Sequence, residues 1–235
     1  MANWAPKRFW KQASAEPADT GFAVRLDGRP VRTPARAPLV VPTLAMARAI
    51  AAEWDAQEGL IRPDTMPVTR AANTAIDTIA PQRAAVDAIV AAYGGTDLLC
   101  YRAATPPALV ARQALAWDAL IDWAATALGA PLTVVTGVMP VAQPDASLSR
   151  LTAHVTALSH FELAALHDLV ALSGSLILGL AVIRGRLSAD AAWAAARIDE
   201  TWQIEQWGDD EEAAATAARR LAAFLDADRF YGLCR

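Results

Sequence analysis

Apolar and polar positions divide this chain into two regimes. Between Gly21 and Pro34 they alternate: Phe22, Val24 and Leu26 fall at period two, Asp27-Gly28 follows, and Val31 resumes the pattern. Period two around an Asp-Gly pair predicts a β-hairpin, and Pro30 confines its strand to an edge or a bulge. Residues 38–41 could form another short strand. From Thr43 onward the period is helical. Thr43 is a candidate N-cap for a helix over 44–58 closed by Gly59, with Leu44, Ala47, Ile50, Ala51 and Trp54 on one face. Residues 63–69 read as a loop. Residues 71–79 and 82–93 read as short helices about Pro81, the second closed by Gly94-Gly95.

The pattern continues in helices with one interruption. Residues 96–102 read as a connector or a short strand. Thr105 before Pro106 and Pro107 starts a helix that runs to about Leu128 and stops at Gly129. The β-branched stretch 131–141 reads as extended. Helices are then predicted over 146–158, over 162–183, over 189–207 behind Ser188, and from Asp209-Asp210 to about Leu225. The segment 162–183 is apolar nearly all round and is the expected central helix, with Ser173, Gly174 and Ser175 allowing close packing. Strands followed by helices predict an α+β protein.

Composition changes this picture in one respect. Apolar residues make up 54% of the 235 residues, which taken alone suggests an unusually hydrophobic chain. Fifty-six of them are Ala, so larger apolar residues are about 30% of the chain, an ordinary core. The membrane candidate, Leu169 to Ile183, is shorter than the roughly 20 residues a span needs and reads as a buried helix. The net charge of −4 disfavours a generic nucleic-acid binder. Cys100 and Cys234 make neither a disulfide framework nor a zinc spacing, which suggests a reducing compartment. The N-terminus lacks the apolar core of a secretory signal.

Charge is unevenly placed. Seven basic residues against three acids fall between Lys7 and Arg36. Asp199, Glu200, Glu205, Asp209, Asp210, Glu211 and Glu212 fall within fourteen residues that hold no basic residue, with Trp202 and Trp207 interleaved. Such a stretch is either a solvated helix face or a docking surface, since aromatic anchors ringed by charge suit protein interfaces. No nucleotide-binding loop, nucleophile elbow or tight metal-ligand pair is present, so no catalytic, metal or cofactor residue is assigned. The alternative is a helical ligand-binding protein or small-molecule enzyme using the region of His160, Glu162 and His167.

Seven blocks recur in order: KRFWK at 7–11, LDGRPVRTPAR at 26–36, VPT at 41–43, EWDAQ at 53–57, MPVTRAANTAID at 66–77, TDLLCYRA at 96–103 and WQIEQWGDDEEA at 202–213. Together they resemble the assembly chaperones for the alpha subunit of the catalytic head of F-type ATP synthase. The resemblance implies a non-enzymatic protein without cofactor. It would bind free alpha subunit, prevent its aggregation, and hand it on for assembly with the beta subunit. It also implies a small N-terminal α+β domain, expected over 1–80 with a β-hairpin or small sheet, and a larger all-α helical bundle domain, expected over 81–235. Eukaryotic relatives act in mitochondria, whereas this chain is expected to be a cytoplasmic bacterial member, a monomer, with neither nucleic-acid binding nor membrane insertion. Glu211 ranks first among the expected partner-binding residues, followed by Glu200, Glu205, Trp207, Asp209, Asp210 and Trp202. EWDAQ and MPVTRAANTAID are expected to fix the domain junction, with Trp54 as a core anchor and Asn73 and Asp77 bonding nearby backbone or Arg70.

Overall fold

A computed structural model describes residues 7–235. The start of the stretch that bears on a secretory signal therefore lies outside the described residues. The chain forms two compact units. The first takes in the described residues up to Arg83 together with His160–Ala165 and Arg229–Arg235, and the second holds Ala84–Ser159 and Leu166–Asp228.

The first unit is built on an antiparallel sheet of β1 (Ala13–Ala18), β2 (Gly21–Leu26), β3 (Arg29–Pro30) and β4 (Val40–Val41). Strand β2 is central: it pairs with β1 on one side, and with β3 and β4 on the other. The expected hairpin is present, with Asp27 and Gly28 both at positive φ, as a two-residue turn between twisted strands requires. The Asp27 carboxylate accepts from the backbone N–H groups of Lys11 and Gln12, and these bonds lower its pKa. Strand β1, which the alternation did not reveal, pairs with β2 along its full length. At Gly21 a Cβ would collide with the Val41 carbonyl oxygen, so β4 can approach β2 only over glycine.

Helix α1 (Leu44–Asp55) packs on this sheet through Met46, Ala47, Ile50 and Ala51, all buried. The Thr43 hydroxyl accepts from the Met46 N–H, as expected of an N-cap, and donates to the Leu233 carbonyl within the same unit. The helix ends at Asp55, before the predicted Gly59, because side chains take over its terminal carbonyls. Gln57 donates to the Glu53 carbonyl, and Arg8 donates to the carbonyls of Asp55 and Gln57. Helix α2 (Pro67–Thr74) begins four residues earlier than predicted. Pro67 occupies its first position, and the Glu53 carboxylate accepts from the N–H groups of Val68 and Thr69 and from the Thr69 hydroxyl at 2.6–2.8 Å. A single π turn, Ala75–Ile79, continues it. Asp77 accepts from the Thr33 hydroxyl and the Ala35 N–H rather than from Arg70. Trp54 packs edge-on against buried Trp10, the rings 5.2 Å apart.

The second unit contains most of α3 (Arg83–Ala92), α4 (Pro107–Ala127), α5 (Asp145–Thr156), most of α6 (His160–Ser173), α7 (Leu176–Ile183), α8 (Ala189–Ala196), α9 (Ile198–Trp207) and most of α10 (Glu211–Leu233). The extended segment after α4 supplies β6 (Val135–Thr136), which pairs in parallel with β5 (Tyr101–Arg102).

The predicted central helix over 162–183 is two helices. Gly174 breaks it at φ 75°, a left-handed conformation that glycine adopts freely. Ser173 and Ser175 therefore do not serve close packing inside a helix. The Ser173 hydroxyl donates to the Leu169 carbonyl at the end of α6, and the Ser175 hydroxyl accepts from the Leu178 N–H as the N-cap of α7. Asp97 completes the junction. Its carboxylate, fully buried, accepts from the Ser175 hydroxyl at 2.7 Å, the Ile177 N–H at 2.9 Å and the Leu99 N–H at 3.1 Å. All eight residues of α7 are buried, so it is the central element of this unit, and a Cβ at Gly179 would meet the Val170 side chain of α6 at 2.7 Å. Among the described residues no helix is long and apolar enough to cross a membrane.

The predicted helix over 189–207 is likewise divided, at Arg197, whose φ of −113° leaves the helical range. The last helix runs eight residues past Leu225, carried by the buried stripe Phe224, Ala227, Phe230 and Tyr231.

Two measurements test this architecture. Glu53→Ala strips three donors at the start of α2 of their acceptor and is expected to cost about 2 kcal/mol or more in chemical denaturation. Burial pushes Asp97 from 3.8 up to about 6 against its three hydrogen bonds. The folded state then holds this proton more tightly than the unfolded chain, so its contribution to stability rises as pH falls from about 6 toward 3.8. Asp97→Asn is expected to lower Tm at neutral pH and to remove that part of the pH dependence. Parallel Tm-versus-pH curves for the two proteins would disprove the assignment.

Candidate functional site

The acidic stretch forms α9, a tight turn and the first turn of α10. Gly208, at φ 91°, ends α9, and its N–H donates to the Ile204 carbonyl. The Asp210 carboxylate accepts from the Ala213 N–H at 2.7 Å and so caps α10. Glu211 and Glu212 follow in the first turn, where the helix dipole favours negative charge.

Helix α4 holds α9 in place. Gln113, buried in α4, donates to the Asp199 carboxylate at 2.6 Å and accepts from the Ala103 N–H. Its neighbour Arg112 pairs with Glu205 at 2.9 Å and lies over the Trp202 ring, 5.1 Å from its centroid. This pairing lowers the Glu205 pKa and raises that of Arg112. Ile198, at the start of α9, is buried.

The expected partner-binding residues fall into two groups. Glu205 and Trp202 are engaged by Arg112, Asp210 caps its own helix, and Glu200 lies 3.8 Å from Arg197. Trp207, Asp209 and Glu211 are exposed, Trp207 by 79%, and among the described residues the two carboxylates have no hydrogen-bond or ion-pair partner. Ile204, one helical turn before Trp207, is 40% exposed and extends the apolar side of this surface. Sequence reading missed Ile204, Arg112 and Gln113. A glutamine in a mostly apolar helix face was the one available signal for the last of these.

The other charged segment is committed to its own unit. Arg8 donates to the backbone carbonyls of Trp10, Lys11, Asp55 and Gln57 and lies over the Trp10 ring. Its neighbours Lys7 and Lys11 are exposed.

The residues of the histidine alternative each have neighbours of their own. His160 stacks on Phe161, and burial together with Arg83 lowers its pKa. His167 is paired with adjacent Asp168, which raises its pKa. Glu162 lies 3.8 Å from Arg235. Among the described residues no three His, Cys, Asp or Glu side chains are placed to hold a metal ion. Burial pushes the thiols of Cys100 and Cys234 up to about 12, so both are poor nucleophiles.

The model of the family described as ATP12 chaperone protein matches residues 7–125. The crystal structure of Atp12 from Paracoccus denitrificans is 56% identical, with 97% of this chain and 98% of that one covered and a TM-score of 0.95. A crystal structure from Agrobacterium tumefaciens is 44% identical, covering 98% of this chain and 87% of that one, with a TM-score of 0.93. The mitochondrial protein atp12 of Schizosaccharomyces pombe is 25% identical over 219 residues, which is 88% of this chain and 75% of that protein. With the family model spanning half of its length and a relative of 56% identity aligned from end to end, this chain belongs to the ATP12 chaperone family.

Proposed function

We propose that the protein is an assembly chaperone of the F-type ATP synthase and that its client is the free alpha subunit. It shields that subunit from aggregation and releases it to the beta subunit. It does so by binding alone, without nucleotide hydrolysis, cofactor or nucleic acid, as a monomer in the bacterial cytoplasm. The observation that carries this reading is the exposed turn between α9 and α10, where Trp207 stands beside the unengaged carboxylates of Asp209 and Glu211. Exposed aromatic residues ringed by one sign of charge anchor a partner and steer its approach. An unassembled subunit offers the complementary feature, since surface destined for a neighbour is exposed until assembly. The small size of the apolar side, Ile204 and Trp207, suits a partner that must later be given up.

Purified alpha subunit titrated against the chaperone tests this reading. Trp207→Ala is expected to weaken binding about thirtyfold, as for an interface anchor. Glu211→Lys is expected to weaken it at least tenfold, more steeply at low salt. Glu205→Gln is expected to change it less than threefold, because Arg112 already answers that charge. Wild-type affinity in both Trp207→Ala and Glu211→Lys would remove the turn from the interface. Failure of the wild-type protein to bind alpha subunit at all would refute the client assignment.

A further inference from the structure

Two hollows adjoin the acidic turn within the helical unit. One, of about 400 Å³, is bordered by the end of α6 at Leu172, Ser173 and Gly174, by Trp193, and by Arg197 and Arg220. The other, of about 390 Å³, is bordered by Asp210, Glu212 and Thr216 and again by Arg197 and Arg220. Each lies within the roughly 300–1,000 Å³ range of ligand sites. Arg197 and Arg220 border both, so the two hollows adjoin at these arginines and together outline a groove.

These guanidinium groups are only partly answered. Arg197 lies over the Trp193 ring, 5.6 Å from its centroid, and its nearest carboxylate is Glu200 at 3.8 Å. Arg220 donates one bond, to the Leu172 carbonyl at 2.9 Å, where it also meets the negative end of the α6 dipole. Among the described residues it has no carboxylate partner. A guanidinium offers five donors in a planar fork that matches a carboxylate. Two guanidinium groups bordering the same hollows therefore leave donors free for a carboxylate.

The walls decide which anion. Asp199 and Glu200 border the first hollow, and Asp210 and Glu212 the second. Asp199 is taken by Gln113 and Asp210 by its own helix, whereas Glu212 has no cation partner among the described residues. This rim repels small free anions. Its charge pattern suits a carboxylate that arrives with positive charge on either side.

We propose that this groove binds an extended client segment in which one Asp or Glu side chain, flanked by Lys or Arg, enters between Arg197 and Arg220. The flanking cations answer Glu200 and Glu212. The assignment of that segment to the alpha subunit rests on the function proposed above; the chemistry of the groove does not.

Arginine Nε resonances of the ¹⁵N-labelled full chain provide the direct test. The peptide acetyl-Lys-Glu-Lys-amide is expected to shift the Arg197 and Arg220 signals saturably. Acetyl-Lys-Gln-Lys-amide is expected to leave them in place, and so is acetyl-Lys-Gln-Lys with a free C-terminal carboxylate. Arg220→Gln is expected to raise Kd for the Glu peptide at least tenfold, Arg220→Lys by less, and Arg219→Gln less than twofold. Equal shifts with all three peptides, a response only to the free C-terminus, or no shift would each overturn the proposal. In the alpha-subunit titration, Arg220→Gln is expected to weaken binding about tenfold while Arg219→Gln does not. If alpha subunit fails to bind the wild-type chain, the client assignment falls and the peptide titration still decides the groove. If the peptide binds as expected but Arg220→Gln binds alpha subunit normally, the groove serves another segment and the alpha-subunit assignment of this site is wrong.

Discussion

The helical unit depends on where a buried carboxylate has been put. Asp97 sits with no exposure to water beneath the junction of α6 and α7, and every bond it accepts comes from the start of α7 or from the turn that carries Asp97 itself. A charged group in that position is costly unless it is hydrogen-bonded, and three donors are what make it tolerable. In return it fixes the direction in which the most apolar segment of the chain resumes after Gly174. Helix α7 then lies wholly buried, with α6 close enough at Gly179 that no side chain fits between them. A long apolar helix has been folded into two shorter ones that can pack on each other.

The sheet unit uses the same device with different residues. Glu53, Asp55, Asp77 and Arg8 each spend their polar atoms on backbone groups distant in sequence, and Gln57 ties the end of α1 to the loop after it through Glu53 and Arg62. This explains why the EWDAQ and MPVTRAANTAID blocks combine charged residues with apolar ones. The charged members close helix ends and loops, and the apolar members fill the core beneath them.

Much of this was legible in the amino-acid order, and the failures share a cause. The Asp-Gly hairpin, the Thr43 and Ser188 caps, the Pro107 helix start and the acids opening α10 are local signals, and each was found where local chemistry placed it. The division of 162–183 was missed because its deciding group, Asp97, lies 78 residues before the Ser175 it binds. The early end of α1 was missed because Arg8 lies 47 residues before the carbonyl it caps. Strand β1 has no alternation of its own and is a strand because β2 is beside it. At the candidate site the acids and tryptophans stood out as composition. That Arg112 would neutralise Glu205 and cover Trp202 depended on the packing of α4 against α9, which no spacing encodes.

The acidic turn has a further property that follows from burial. From Asp199 through Ala223 no residue is buried, although the chain there is helical apart from the turn at 208–210. Alanine supplies the helix propensity of early α10, and little of its surface is withdrawn from water. Such a stretch opens at a smaller free-energy cost than the core beneath it. Beyond Glu205, the last residue that α4 holds, the turn and early α10 can therefore loosen and reform while α4, α6 and α7 stay intact. The acidic turn is thus a surface whose shape adjusts on the time scale of local helix fraying, beside a wholly buried α7.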